Sequence, residues 1–312
     1  MTTTTRTELR AEYARPPRLR RIARGWRRSW VAYVFLLPGI ALFVWFVLQP
    51  TISLFGMSFT SWDGVAPTQQ WIGLGNYHAL FADPLFWGAL RNNLVFVALL
   101  VTFNLTVGLV TASVLARTVR GRLVYQLIFF LPVVQASIVT ALVWQWLYNP
   151  DGFVNGTLGA VGLSGLARGW LGDPATALPA LALAAGWAGF GLSVVIFLAG
   201  LQGIDQALYD AAKVDGASSR QMFFHVTVPQ LRPVITIVLL LEMIGAFQTF
   251  DIIWATTKGG PYGSTEVLAT YMFKQGFTDS QFGYGAAVAV TFMIIILIAA
   301  VASMLVRGRN ED

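Results

Sequence analysis

The 312 residues are 56% hydrophobic and only 12% charged, with a mean hydropathy of +0.63. Soluble domains carry about twice that charged fraction; a chain this poor in charge cannot cover its own surface with polar side chains, so lipid must cover part of it. With no cysteine and only two histidines, His78 and His225, disulfides, thiolate chemistry and histidine clusters are excluded, and neither a catalytic group nor a metal site is expected.

The net charge of +6 is concentrated at one end, where nine arginines fall between Arg6 and Arg28. They precede the first apolar run directly, as cytoplasmic flanks of membrane helices do. That placement weighs against a nucleic-acid arm, and no nucleic-acid partner is expected. The apolar run behind them is too long for a signal-peptide core. Residues 1–30 therefore read as a basic cytoplasmic tail.

About 20 apolar residues are needed to cross a bilayer as a helix. Six runs qualify: about Val31–Phe55, Asn93–Ala116, Leu123–Leu147, Ala177–Leu201, Pro233–Trp254 and Ala286–Val306. The expected fold is all-α, a polytopic membrane bundle of six transmembrane helices over 31–306, with a short tail at 307–312. Prolines at Pro38, Pro132 and Pro179 fall within or beside these runs, where neighbouring groups can satisfy the freed carbonyls. If the amino terminus is cytoplasmic, 17 of the 21 lysines and arginines lie on the inner side, which predicts both termini inside a cell membrane. The outer loops 56–92 and 148–176 are rich in Trp, Gly and Pro and read as ordered caps.

The inner segment between the fourth and fifth runs, Gln202–Arg232, is patterned as structure. Asp205 can cap a short helix, because its carboxylate can accept free amide N–H groups of the first turn. Gly216 permits a sharp turn. Ser218 and Gln221 have capping-box spacing for a second helix, and Pro229 is expected to end it. That helix carries Met222, Phe223, Phe224 and Val226, apolar groups that must pack on the chain's own spans, lie in the lipid interface or enter a groove on a partner.

Asp210-Ala211-Ala212, then Gly216, then Val226, Val228 and Pro229 resemble the signature loop of permease subunits of bacterial ABC importers, with Asp210 where that family has glutamate. Further elements resemble the carbohydrate-importing branch: Gly73-Leu74-Gly75-Asn76-Tyr77, Asp83-Pro84, Leu131-Pro132, Trp144, Tyr148, Asn155 and Gly259-Gly260-Pro261. The Gly-Gly-Pro element is similar to the larger-type permease of maltose and glycerol-3-phosphate importers. The resemblance implies a type I importer permease forming half of a translocation pore. It implies coupling to separate ATP-binding cassette subunits through Asp210, Ala211, Ala212, Asp215, Gly216, Met222, Phe223, Phe224 and Pro229. It also implies an extracytoplasmic sugar-binding protein and a second, different permease as partners.

None of the three lysines follows a glycine, so no phosphate-binding G-x-x-x-x-G-K loop exists. No cofactor is expected on this chain; partner subunits would use ATP. In the fifth run, Glu242, Ala246 and Thr249 share a helical face and are the candidate substrate path, because ionisable groups inside a membrane mark functional sites. Asp251 is expected to have a structural role near the outer end. Trp144, Trp146 and Trp187 are candidates for stacking on a sugar, and Gly186 and Gly189 for close helix approach. The competing reading is a self-contained secondary transporter, against which stand the lack of an inverted repeat and of an ion-coupling charge chain.

Overall fold

The computed structural model describes residues 33–116 and 121–308, the side chains of 306–308 excepted. The basic tail 1–30, Arg117, Arg120 and the residues after 308 lie outside the described residues. The chain divides into two units, the first reaching Gly56 and the second beginning at Met57.

In the first unit, span one forms a helix over Tyr33–Met57, with none of its residues buried. A helix that is apolar all round gains nothing from water and is suited to lipid or to other apolar helices.

The second unit contains the other spans. Span two runs over Pro84–Leu115, nine residues longer at its outer end than the apolar run suggested. Asp83 explains the extension. Its carboxylate accepts the amide of Leu85 at 2.8 Å, and Pro84 occupies the first helical position, where a missing N–H costs nothing. Span four covers Ala177–Gln202 and span six Phe282–Gly308.

Spans two and four pack closely because small residues let them. A Cβ at Gly186 would press on Phe103, and one at Gly108 on Ser193. Span three approaches equally near: a side chain at Gly191 would collide with the carbonyl of Phe129. Phe86, Phe96, Leu181, Ile253, Leu268 and Val288 form the centre of one core, and Ala112, Leu115, Val194, Phe197 and Val238 a second.

Two spans are not the continuous helices the hydrophobic runs implied. Span three is Arg122–Val134 followed by Ser137–Leu147, with a bend of 99° between them. Pro132 removes a backbone donor near the end of the first half, and Gln135 and Ala136 adopt extended backbone. Span five ends its first helix at Phe247, and a second begins at Asp251 and ends at Thr256. No proline marks this break. Stacking of Phe250 on Trp254, with ring centroids 5.6 Å apart, and of both against Phe273, anchors the second half separately.

The loops expected on the outer side carry defined structure, as their composition suggested. Asn76 donates to the carbonyls of Ser58 and Thr60 at 2.9 and 2.8 Å. In the second loop a helix covers Phe153–Ala160, and Asn155 ties it to Pro150, Arg168 and Trp170. In the third, Asn92 of span two holds the carbonyls of Gly263 and Glu266 at 2.9 and 3.0 Å. Glu266 pairs with Lys274, and a side chain at Gly259 would strike that carboxylate.

Candidate functional site

The inner loop is built almost wholly from local bonds. The Asp205 carboxylate caps the helix Gln206–Val214 by accepting the Ala207 amide at 2.9 Å. At its far end the Gly216 amide bonds to Lys213 and the Ala217 amide to Ala212, while Gly216 has φ +75°. This is a Schellman closure, in which the residue after the cap must turn left-handed. It accounts for the fixed distance between the Ala211-Ala212 pair and Gly216: Ala212 supplies the carbonyl that closes the turn.

The capping box is present. The Ser218 amide donates to Gln221 Oε1 at 2.8 Å, and the Gln221 amide donates to Ser218 Oγ at 3.4 Å. The second loop helix spans residues 219–230 and passes through Pro229, which was expected to end it. The reason lies just upstream. Phe223–Thr227 widens to a π turn in which the Val228 amide reaches back to Phe223, and the ladder resumes with Leu231 on Thr227. Widening the ladder by one residue absorbs the proline without breaking the rod. Tyr209 Oη and Thr227 Oγ1, 3.0 Å apart, tie the two loop helices together.

Asp210 is exposed and paired with Lys213 at 3.0 Å, and that bond holds its carboxyl below the usual carboxylate range. Met222 and Phe223 line a cavity of about 370 Å³ against Ser113, Ala116 and Leu201 at the inner ends of spans two and four. Asp215, Gly216, Met222 and His225 border an open groove between the two loop helices. Phe224 and Val214 remain 55% and 88% exposed. The apolar residues of the second loop helix thus divide: one part packs on the chain's own spans and Phe224 is left outward.

The second site lies where the two broken spans meet. Gln135 from the break in span three, and Gln248, Thr249 and Phe250 from the break in span five, line one cavity of about 440 Å³. Ala185 and Gly189 of span four form another wall. Unwound backbone at membrane depth is tolerated only where it is buried in protein or lines a water-filled cavity. Gln135 Nε2 and Thr140 Oγ1 are buried here without a hydrogen-bond partner. Such donors are costly unless something accepts from them.

Glu242 and Ala246, four residues apart, share a face of the helix that ends at Phe247, and Thr249 lies beyond that end. Thr249 lines the cavity. Ala246 is buried in the core around Phe96 and Ile253. Both oxygens of Glu242 are held by the chain itself, one by Asn104 Nδ2 at 2.7 Å and the other by Ser193 Oγ at 2.6 Å. Asn104 and Ser193 are themselves fully buried. A carboxylate at the centre of a membrane helix costs about 2.5–3.5 kcal/mol on insertion scales, and charge-assisted hydrogen bonds of about 1.5–3 kcal/mol each offset that cost. Glu242 therefore clasps spans two, four and five.

Trp144 packs between Tyr148 and Trp187, with centroids 5.0 and 5.8 Å away. Trp146 is 69% exposed. Neither lines the cavity; the aromatic ring that does is Phe250. Gln135, Gln248 and Phe250 were not among the sequence candidates, and the only signal near them was Pro132. His78 and His225 are both exposed.

The fold and these two sites define a polytopic helical membrane protein with a structured loop between spans four and five and a polar cavity at the junction of broken spans. Residues 104–308 match the family described as binding-protein-dependent transport system inner membrane component, and the chain belongs to that family. It is an ABC transporter permease and a multi-pass protein of the inner membrane. The probable ABC transporter permease protein YurN of Bacillus subtilis is 36% identical over 86% of this chain and 92% of its own length. The lactose transport system permease protein LacF of Rhizobium radiobacter is 34% identical over 88% of this chain and 91% of its own. Among solved structures, a bacterial ABC transporter involved in the import of the acidic polysaccharide alginate superposes with a TM-score of 0.80 at 25% identity, covering 93% of this chain and 99% of that one.

Proposed function

We propose that this permease forms half of the translocation pore of a carbohydrate importer. In this reading the cavity between the breaks of spans three and five is the substrate path. Its supporting observation is the convergence of two helix interruptions on one space lined by amides, hydroxyls and Phe250. Sugars are bound by hydrogen-bonding groups beside an aromatic or apolar surface, which this lining provides. The similarity to lactose and alginate transporters supports a saccharide cargo.

The inner loop 202–232 is the coupling element. Residues Asp210, Ala211, Asp215, Gly216 and Phe224 are exposed on a pair of short helices, with Ala212 half-buried on the groove between them, and an ATP-binding cassette subunit would receive them in a groove. Closure of two such subunits on ATP would move the loop and bias the spans between inward-open and outward-open states. A second, different permease completes the pore, an extracytoplasmic sugar-binding protein delivers the cargo, and both termini are cytoplasmic.

The test is reconstitution in proteoliposomes with the neighbouring permease, the ATPase and the binding protein. Sugar uptake should require internal ATP. Ala188→Trp, which fills the cavity, should abolish uptake while the subunits still copurify. Uptake that persists in vesicles lacking the ATPase would instead support a self-contained secondary transporter.

A further inference from the structure

The cavity carries a charge signature that bears on which saccharides pass. Its lining includes amide and hydroxyl groups at Gln135, Thr140, Gln248 and Thr249, and one acidic side chain, the exposed Asp251. Among the described residues lining it there is no lysine, arginine or histidine. A second carboxylate lies behind the wall. Glu242 is held by Asn104, which abuts Gly189 of the lining closely enough that a Cβ there would sit 3.2 Å from Asn104 Nδ2. Among the described residues that line the cavity, the acidic side chain therefore stands without a cationic one.

Like charges brought together repel, and a polar site discriminates by such repulsion as well as by attraction. A carboxylate on the sugar would meet Asp251 with nothing on this chain to neutralise it. A neutral saccharide meets no such barrier: its hydroxyls donate to Asp251 and accept from the exposed Gln248 amide of the lining. The similar alginate transporter imports an acidic polysaccharide, so the shared fold does not decide the charge of the cargo.

We infer that this permease selects neutral, hydroxyl-rich saccharides and excludes uronates, with Asp251 as the charge-selecting residue. The inference rests on the cavity being the substrate path.

The experiment uses the complete permease–ATPase complex, purified without the binding protein so that its selectivity does not intrude. Saturation-transfer NMR measures binding of a panel of neutral trisaccharides (maltotriose, cellotriose, arabinotriose and triacetylchitotriose) and of trigalacturonate, which has the same number of rings. At least one neutral trisaccharide should bind, and trigalacturonate should bind at least tenfold more weakly. Asp251→Lys should reduce that ratio by at least tenfold. Asp251→Asn, nearly the same size, should reduce it by a few-fold, and copurification of all subunits checks assembly of both variants. Equal or tighter binding of trigalacturonate by the unaltered complex overturns the charge rule alone. So does a ratio that neither variant moves. Failure of every trisaccharide to bind overturns the cavity's assignment, and the charge rule with it.

Discussion

The inner loop and the membrane cavity are built by opposite means. Nearly every bond that shapes the loop joins residues close in the chain: Asp205 to Ala207, Ala212 to Ala217, Ser218 to Gln221, Phe223 to Val228; the Tyr209–Thr227 pair reaches farther but stays within the loop. The cavity takes its walls from three separate spans, and its neighbouring clasp joins Glu242 to Asn104 and Ser193 across 138 and 49 positions. A surface meant to fit a partner gains from a shape independent of the bundle's state. A passage that must open and close gains from walls that belong to different helices.

The sharpest way to break this contrast is Glu242→Leu. It removes the acceptor from two buried donors, each worth about 1–3 kcal/mol when left unsatisfied. The complex should lose roughly 2–5 kcal/mol and unfold at clearly lower temperature in a detergent melt. Glu242→Gln, which keeps one acceptor, should lose less. An unchanged melting temperature in Glu242→Leu would refute the clasp.

Gly216→Val comes next. A β-branched residue at φ +75° costs about 2 kcal/mol of backbone strain, although its Cβ would meet open space. Because the strain is local, the melt of the spans should stay constant while ATPase copurification and ATP-driven uptake fall by tenfold or more. A parallel loss of span stability would show that the loop is not the independent unit its bonding implies.

Thr249→Ala should cost about 1 kcal/mol of substrate interaction, seen as roughly a fivefold rise in the KM for uptake with no shift in melting. A KM identical to that of the unaltered protein would remove Thr249 from the path.

The smallest effect is expected at Asp210. Its pair with Lys213 is exposed, and exposed pairs contribute little. A carboxyl held below its usual value favours the folded loop only while ionised. That contribution is present above the ordinary pKa of 3.8 and is lost as pH falls through the lower folded value. Copurification with the ATPase should therefore be flat between pH 6 and pH 8 in both the unaltered protein and Asp210→Asn. A slope confined to the unaltered protein in that range would contradict this.

The same contrast explains what the sequence revealed. The loop was legible almost residue by residue, since caps and left-handed glycines are short-range rules that Asp205, Gly216, Ser218 and Gln221 obey visibly. Pro229 was misread for the same reason: the rule that proline ends a helix takes no account of a π turn preceding it. The spans were legible as apolar runs, but their interruptions were not. Pro132 hinted at the first. The second has no local cause between Phe247 and Asp251 and depends on Phe250, Trp254 and Phe273 stacking together. Helical spacing placed Glu242 and Thr249 on one face only because it assumed the helix continued. Span two's outer extension was hidden because Arg91, Asn92 and Asn93 interrupt hydropathy, although Asp83-Pro84 had marked its start.

The closure of Ala212 and Ala217 around Gly216, with the capping box beside it, has a consequence for how such machines diversify. A connector whose form is encoded entirely within itself is portable. On the proposed reading, the membrane-embedded remainder is free to drift toward new cargoes without disturbing the plug presented to the motor. One ATP-hydrolysing subunit could then drive several permeases that share little beyond this short stretch of chain.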